Sequence, residues 1–192
     1  MSVRKHPNPW LMTLAFLLMM LLAWTPISSW ANEYWDEMYL QVGVKLFPSF
    51  LAADQDIAFK NDQDGSLLIL VVHSGQTKFS EMVENYLKNV QTIRNVPLQV
   101  RTVHQQDMQQ FNSRVIGGVF LAQPLENGFE ELVEFCKSHK TLLFSPFKAD
   151  VERGALGGML ITDKVQPLIN RATMDESGIR IKSFFLKVAK LL

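Results

Sequence analysis

Six consecutive apolar residues, Leu67-Leu68-Ile69-Leu70-Val71-Val72, dominate the hydrophobic pattern of this chain. A short run with no polar position to face water predicts a central strand buried on both faces. Ser74-Gly75 ends it. Phe79, Met82, Val83, Tyr86, Leu87 and Val90 then recur at i, i+3, i+4, i+7, i+8 and i+11. That is the stripe of an amphipathic helix, with Thr77 placed to cap it. Residues 97–103 read as a second strand, 105–111 as a short polar helix and 115–122 as a third strand. Gly117-Gly118 inside the third strand marks a close backbone approach or a bulge. Asn127, with Glu130 three residues on, has the spacing of a capping box. The helix it opens turns Phe129, Leu132, Val133 and Cys136 inward, and residues 141–144 form a fourth strand.

The two ends of the pattern differ from its middle. Trp35, Met38, Tyr39, Val42 and Leu46 predict a helix over 33–51. Pro48 lacks an amide donor and crowds the preceding turn, so this helix should bend or stop near Phe47. Asn61-Asp62-Gln63-Asp64-Gly65 is a turn signal. Late in the chain, 157–162 and 165–170 flank Asp163-Lys164 as a hairpin, with Pro167 at an edge or bulge. Ile181, Phe184, Phe185, Val188, Ala189 and Leu192 stripe a closing helix, with Lys182, Lys187 and Lys190 outside the stripe and Leu186 and Leu191 beside it. Alternating strands and helices predict an α/β fold: a mostly parallel or mixed sheet of about five to six strands, helices on both faces, a late β-hairpin and a C-terminal helix.

The first residues carry a different message. Arg4 and Lys5 precede an apolar run from Leu11 to Trp24, shorter than the ~20 residues of a membrane-spanning helix. Pro26 follows, and Ser29 and Ala31 occupy the small-residue positions of a signal-peptidase site. The expectation is cleavage between Ala31 and Asn32, export, a single mature domain over 32–192, and no membrane insertion afterwards. The whole chain balances 19 basic against 19 acidic residues. Losing Arg4 and Lys5 leaves the domain slightly acidic, with no field to hold nucleic acid. A lone Cys136 excludes an internal disulfide, so burial must hold the fold. Its place on a helix face reads as a buried, inert thiol.

Candidate chemistry is sparse. Ser74-Gly75 lies between a strand and a helix, where phosphates bind, but no Gly-x-Gly-x-x-Gly and no Lys-Ser/Thr accompanies it. No catalytic residue, cofactor site or metal site is expected. Cys136 and His139 stand one helical turn apart with no third group to orient them. His73 and His104 end the first and second strands, and Ser74, Gln123 and Ser145 could reach the same carboxyl rim, where open α/β sheets bind ligands. His73, Ser74, His104 and Ser145 therefore form the candidate ligand site of a small solute-binding protein.

The tail supports another reading. Gly157-Gly158-Met159-Leu160-Ile161, Ile169-Asn170-Arg171-Ala172, Ser177-Gly178-Ile179-Arg180-Ile181 and Phe185-Leu186-Lys187-Val188-Ala189 occur in that order. Together they resemble the closing signature of the YfiR/HmsC-like family of bacterial periplasmic proteins. The chain departs from that family at Phe47-Pro48, where members often place Trp-Pro, and in lacking a second cysteine for a disulfide. The resemblance implies a periplasmic domain that restrains an inner-membrane diguanylate cyclase through its periplasmic sensor domain, limiting cyclic-di-GMP and biofilm formation. A homodimer is a further expected partnership. The contact surface expected for the cyclase is Asp163, Lys164 and Val165 at the hairpin tip, with Ile169, Phe184 and Leu186 nearby.

Overall fold

The protein is described by a computed structural model that covers residue 10 and residues 28–62, 64–75 and 77–192. The chain divides into two units, Met1–Trp35 and Asp36–Leu192. In the first, residue 10 and residues 28–35 are helical. The rest of the expected leader lies outside the described residues, as do the side chains of Ala31 and Asn32 at its expected cleavage site. Among the described residues, no helix is long and apolar enough to cross a membrane.

The second unit is built on a mixed sheet. Its elements are helix α1 (Ser28–Ala53, which begins in the first unit), a 3₁₀ turn η1 (Ile57–Phe59), β1 (Leu67–His73), α2 (Thr77–Asn89), β2 (Thr92–Ile93), β3 (Val96–His104), η2 (Gln105–Phe111) and β4 (Gly118–Leu121). There follow α3 (Phe129–Ser138), β5 (Leu142–Phe144), α4 (Lys148–Arg153), β6 (Gly157–Ile161), β7 (Val165–Ile169), α5 (Arg171–Ser177), α6 (Ser183–Val188) and β8 (Lys190–Leu191). The strand order is β2-β3-β1-β4-β5-β6-β7-β8. β3, β1, β4, β5 and β6 run parallel, β2 is antiparallel to β3, β7 is antiparallel to β6, and β8 is parallel to β7. The α/β expectation holds, but the sheet has eight strands rather than five to six. Both β2 and β8 are two residues long, too short to show a strand period. β2 is joined to β3 through Arg94 and Asn95, both at positive φ (49° and 68°), which matches the strand twist of a tight hairpin.

β1 is buried on both faces, as its apolar run requires. Leu67, Ile69 and Val71 point to one side, where α1, α2 and the segment after α5 pack. Leu68, Leu70 and Val72 point to the other, against η2, α3 and α4. Gly118 answers the question raised by the glycine pair. A Cβ there would sit 2.5 Å from Leu51 Cδ2 and 3.1 Å from Phe47 Cζ. At Gly157 it would sit 2.7 Å from Phe50 Cε1. The sheet is bare at these positions so that α1 can lie directly on it. Phe47, Phe50, Phe120, Phe144 and Phe185 fill the contact, with ring centroids 4.9–5.5 Å apart.

This packing explains why α1 continues through Pro48 to Ala53, close to the expected end at residue 51, without taking the stop near Phe47 expected as the alternative to a bend. A helix-interior proline costs about 3 kcal/mol. Burying Phe47, Phe50 and Leu51 contributes roughly 1.5–3 kcal/mol each and outweighs it. Beyond α1, buried Asp54 accepts from Lys60 Nζ at 2.7 Å and from the Asp56 amide at 2.9 Å. The same ammonium donates to the Lys140 carbonyl at 2.5 Å. Backbone bonds from Gln55 to Arg180 (2.8 Å) and from Lys182 to Ala53 (2.9 Å) clip the tail to the same corner.

Two more expectations are corrected. Gly128, at φ 77°, is the N-cap of α3 in place of Asn127, and Glu130 reaches Arg153 at 2.8 Å instead of closing a capping box. The closing helix is only the six-residue α6, because the Ala189 backbone turns extended and β8 pairs with β7. Phe185 is the buried residue of α6.

Gly118→Ala should lower the urea-unfolding free energy by about 1–3 kcal/mol, the usual effect of overpacking a filled core. Asp54→Ala, which strands the Lys60 charge, should lower it by about 3–5 kcal/mol. An unchanged denaturation midpoint in either variant would contradict the packing described.

Candidate functional site

The chain leaves β1 toward β3 on one side, then returns to β4 on the other. The carboxyl ends of β1 and β4 therefore flank the topological switch point, where open α/β sheets leave a crevice. Gln123, just after β4, donates from Nε2 to Ser74 Oγ at 2.5 Å, spanning this gap. His73 and His104 are register partners on β1 and β3. Their rings meet edge-on, 5.5 Å apart and perpendicular.

Each imidazole is latched to its own turn. His73 Nδ1 accepts the Gly75 amide at 3.1 Å, a turn that places Gly75 at φ 134°, open to glycine. His104 Nδ1 accepts the Gln106 amide at 3.3 Å and so caps η2. Burial, and secondly the neighbouring His104, hold the His73 pKa below the usual histidine range. Ser145 lies elsewhere in character: it is fully buried, its hydroxyl donates to Asp150 Oδ2 at 2.6 Å and accepts the Phe147 amide at 3.2 Å. Burial raises the Asp150 pKa against that hydrogen bond. The structure thus brings His73, Ser74, His104 and Gln123 to one rim and places Ser145 in the core.

The late surface is also partly rearranged. Asp163, Lys164 and Val165 are exposed at the β6–β7 turn. Ile169 is fully buried and Leu186 is partly buried against the core, so neither offers a free face. Phe184 is instead 61 % exposed, with Val188 one turn on at 57 %. Leu191 and Leu192 are exposed too. The Val188 carbonyl accepts from Gln166 Nε2 at 3.1 Å, which joins α6 to β7 beside Val165. Val188 and Leu192 escaped the sequence reading because a continuous helix would have turned them inward. Leu186 and Leu191, off the stripe, are the signal the sequence offers, and of the two Leu191 is exposed while Leu186 is partly buried.

Cys136 is buried and its thiol pKa is pushed far up by burial. His139 stacks on Phe135 and engages the Phe135 and Asn112 carbonyls at 2.7 and 3.2 Å. A concavity of about 210 Å³ lies between η2 and α3, lined by Gln105, Met108, Glu131 and Phe135 among others. Among the described residues, no group of three His, Cys, Asp or Glu side chains could hold a metal ion.

Fold and site together define a doubly wound α/β domain with a polar rim at its switch point and an apolar surface beside its last strands. A profile of the YfiR/HmsC-like family matches residues 57–190, and the chain belongs to that family. No match was found among curated proteins. Among solved structures, the chain is similar to an ABC domain in complex with L-Trp from Streptococcus pneumonia, with 18% identity and a TM-score of 0.52. That likeness covers 79% of this chain and 59% of the other, so the chain spans under two thirds of that structure, and it shows the fold. A ligand-free, open substrate-binding protein with adhesive properties from Clostridium difficile is 12% identical at a TM-score of 0.49, covering 66% of this chain and 54% of that one. A conserved domain protein from Vibrio cholerae is 16% identical at 0.47, over 69% and 57%.

Because the folded His73 pKa lies below the ordinary value of about 6.5, the unfolded chain takes up the proton first. The stability tied to His73 is therefore full above that value and falls as pH drops through it. His73→Asn keeps an acceptor for the Gly75 amide but cannot titrate. Thermal melts from pH 7.5 to 5 should show a smaller loss of Tm for this variant, and an identical loss would refute the assignment.

Proposed function

We propose that this protein is a periplasmic regulatory binding protein that restrains an inner-membrane diguanylate cyclase by binding its periplasmic sensor domain. Family membership supports the regulatory role. The observation that carries the contact surface is the exposure of Phe184 and Val188 on α6, beside the Val165 turn. Large apolar side chains clustered at a surface mark a place where a partner excludes water. Restraint of this kind requires no catalytic group. It requires tighter binding to the inactive state of the cyclase than to the active one, because differential affinity alone shifts an equilibrium.

Deleting the gene should raise intracellular cyclic-di-GMP, and the exported protein should restore it while a version lacking residues 1–31 should not. Phe184→Glu should lose the restoration while leaving the urea midpoint of the purified protein unchanged, since Phe184 faces water. Cyclic-di-GMP that stays level on deletion would sink the cyclase reading. Full restoration by Phe184→Glu would move the contact to another face.

A second reading is favoured by the switch-point geometry: small-solute binding at the rim of His73, Ser74, His104 and Gln123. The fold likeness to a domain solved with L-Trp is consistent with it. The two readings are compatible if a solute at the rim is the signal that relieves restraint.

A further inference from the structure

The hydrogen bonds at the two histidines determine what kind of ligand the rim can hold, if the solute-binding reading on which this rests is right. An imidazole nitrogen that accepts an amide N–H carries a lone pair, so in the neutral ring the proton sits on the other nitrogen. His73 Nδ1 and His104 Nδ1 both accept from backbone amides. Both rings therefore carry their proton on Nε2. Ser74 Oγ accepts from Gln123, which leaves the serine hydroxyl hydrogen to donate. Three donors thus gather at the ends of β1 and β3. Several charged groups on the adjoining elements are engaged elsewhere: Asp107 of η2 accepts from Gln110, Lys78 of α2 pairs with Glu37, and Glu84 of α2 is held by Lys88 and Thr102, while Glu81 of α2 and Arg101 of β3 are further charges on those elements.

We propose that this rim binds a small solute through an oxyanion, a carboxylate or a phosphate group, whose oxygens accept the Nε2–H groups of His73 and His104 and the hydroxyl of Ser74. The same arrangement disfavours a metal. A metal on Nε2 would need the proton moved to Nδ1 and would break the amide latch of each ring. The depressed pKa of His73 keeps its ring neutral near neutral pH, which preserves the Nδ1 lone pair that accepts the Gly75 amide.

The test is long-range ¹H–¹⁵N NMR of the imidazoles in the purified protein at pH 7.5. Separate titrations use sodium phosphate, sodium acetate and zinc chloride. The expected result is an Nε2–H tautomer in both rings and saturable Nε2 shifts with an oxyanion. Response to phosphate alone assigns a phosphoryl group, and response to acetate alone a carboxylate. His73→Asn/His104→Asn should weaken that binding by about ten-fold or more, since two hydrogen bonds to a charged group are lost, with folding unchanged because asparagine still accepts the latching amides. An Nδ1–H tautomer, or shifts with zinc alone, would overturn the oxyanion assignment while leaving the rim a ligand site. Silence in all three titrations would overturn both.

Discussion

The approach of α1 to the bare face of the sheet is the contact on which the rest of the domain depends. With one cysteine there is no cross-link to constrain the unfolded chain, so burial must supply the stability. Gly118 and Gly157 leave room for Leu51, Phe47 and Phe50 to rest almost on the backbone of β4 and β6. That contact brings the aromatic cluster together, and the cluster reaches Phe185 in the last helix. The N-terminal helix and the C-terminal segment are therefore held by the same set of rings. The Asp54–Lys60 pair and the backbone bonds around Ala53 and Arg180 finish a corner that the rings have already brought together.

Much of this was legible where a single signal was strong. The Leu67–Val72 run, the α2 stripe and the late hairpin each had enough residues for their period to be read, and each stands close to its expected place. The failures came where local propensity and tertiary packing disagreed. Pro48 argues against a helix on its own, but Phe47, Phe50 and Leu51, which fill the core, decide the outcome. At the end of the chain, the apolar pattern fits a helix of two or more turns. Pairing of Lys190 and Leu191 with β7 satisfies backbone groups that the helix would have used, and the pattern splits. Phe184 and Val188 face water, although the single stripe read from the sequence counts both on the inner face. The histidine rim was visible because it depends on strand ends and on topology, both encoded in long-range alternation. Ser145 failed because the direction of a side chain just past a strand depends on the next helix, here through Asp150.

The sheet keeps the two candidate surfaces apart. The rim belongs to β1, β3 and β4, and the apolar surface to β7, α6 and β8, with β5 and β6 between. Under the two proposed readings taken together, the occupants need not compete for the same atoms. The parallel strands carry the polar rim at the carboxyl ends of β1, β3 and β4, and the β6–β7 turn stands at the carboxyl end of β6, farther along the same edge of the sheet.

Separation also limits what a rim ligand could do. If such a ligand changed the affinity for a partner, the partner would change the affinity for the ligand by the same factor. The coupling would have to travel through packed elements with two arrangements, and β5, only three residues long, is the thinnest link between the halves. Its pairing with β6 rests on Phe144 and Gly157 and on the amide of Ser145 donating to the Gly157 carbonyl at 2.9 Å. Phe144 also stacks on Phe120 of β4, beside the switch point, and meets Phe50 of α1, which in turn touches Phe185 of α6. The aromatic cluster that holds the fold thus also connects β4, beside the switch point, with α6. A shift of α1 across its glycine bed is the displacement this packing would transmit most directly.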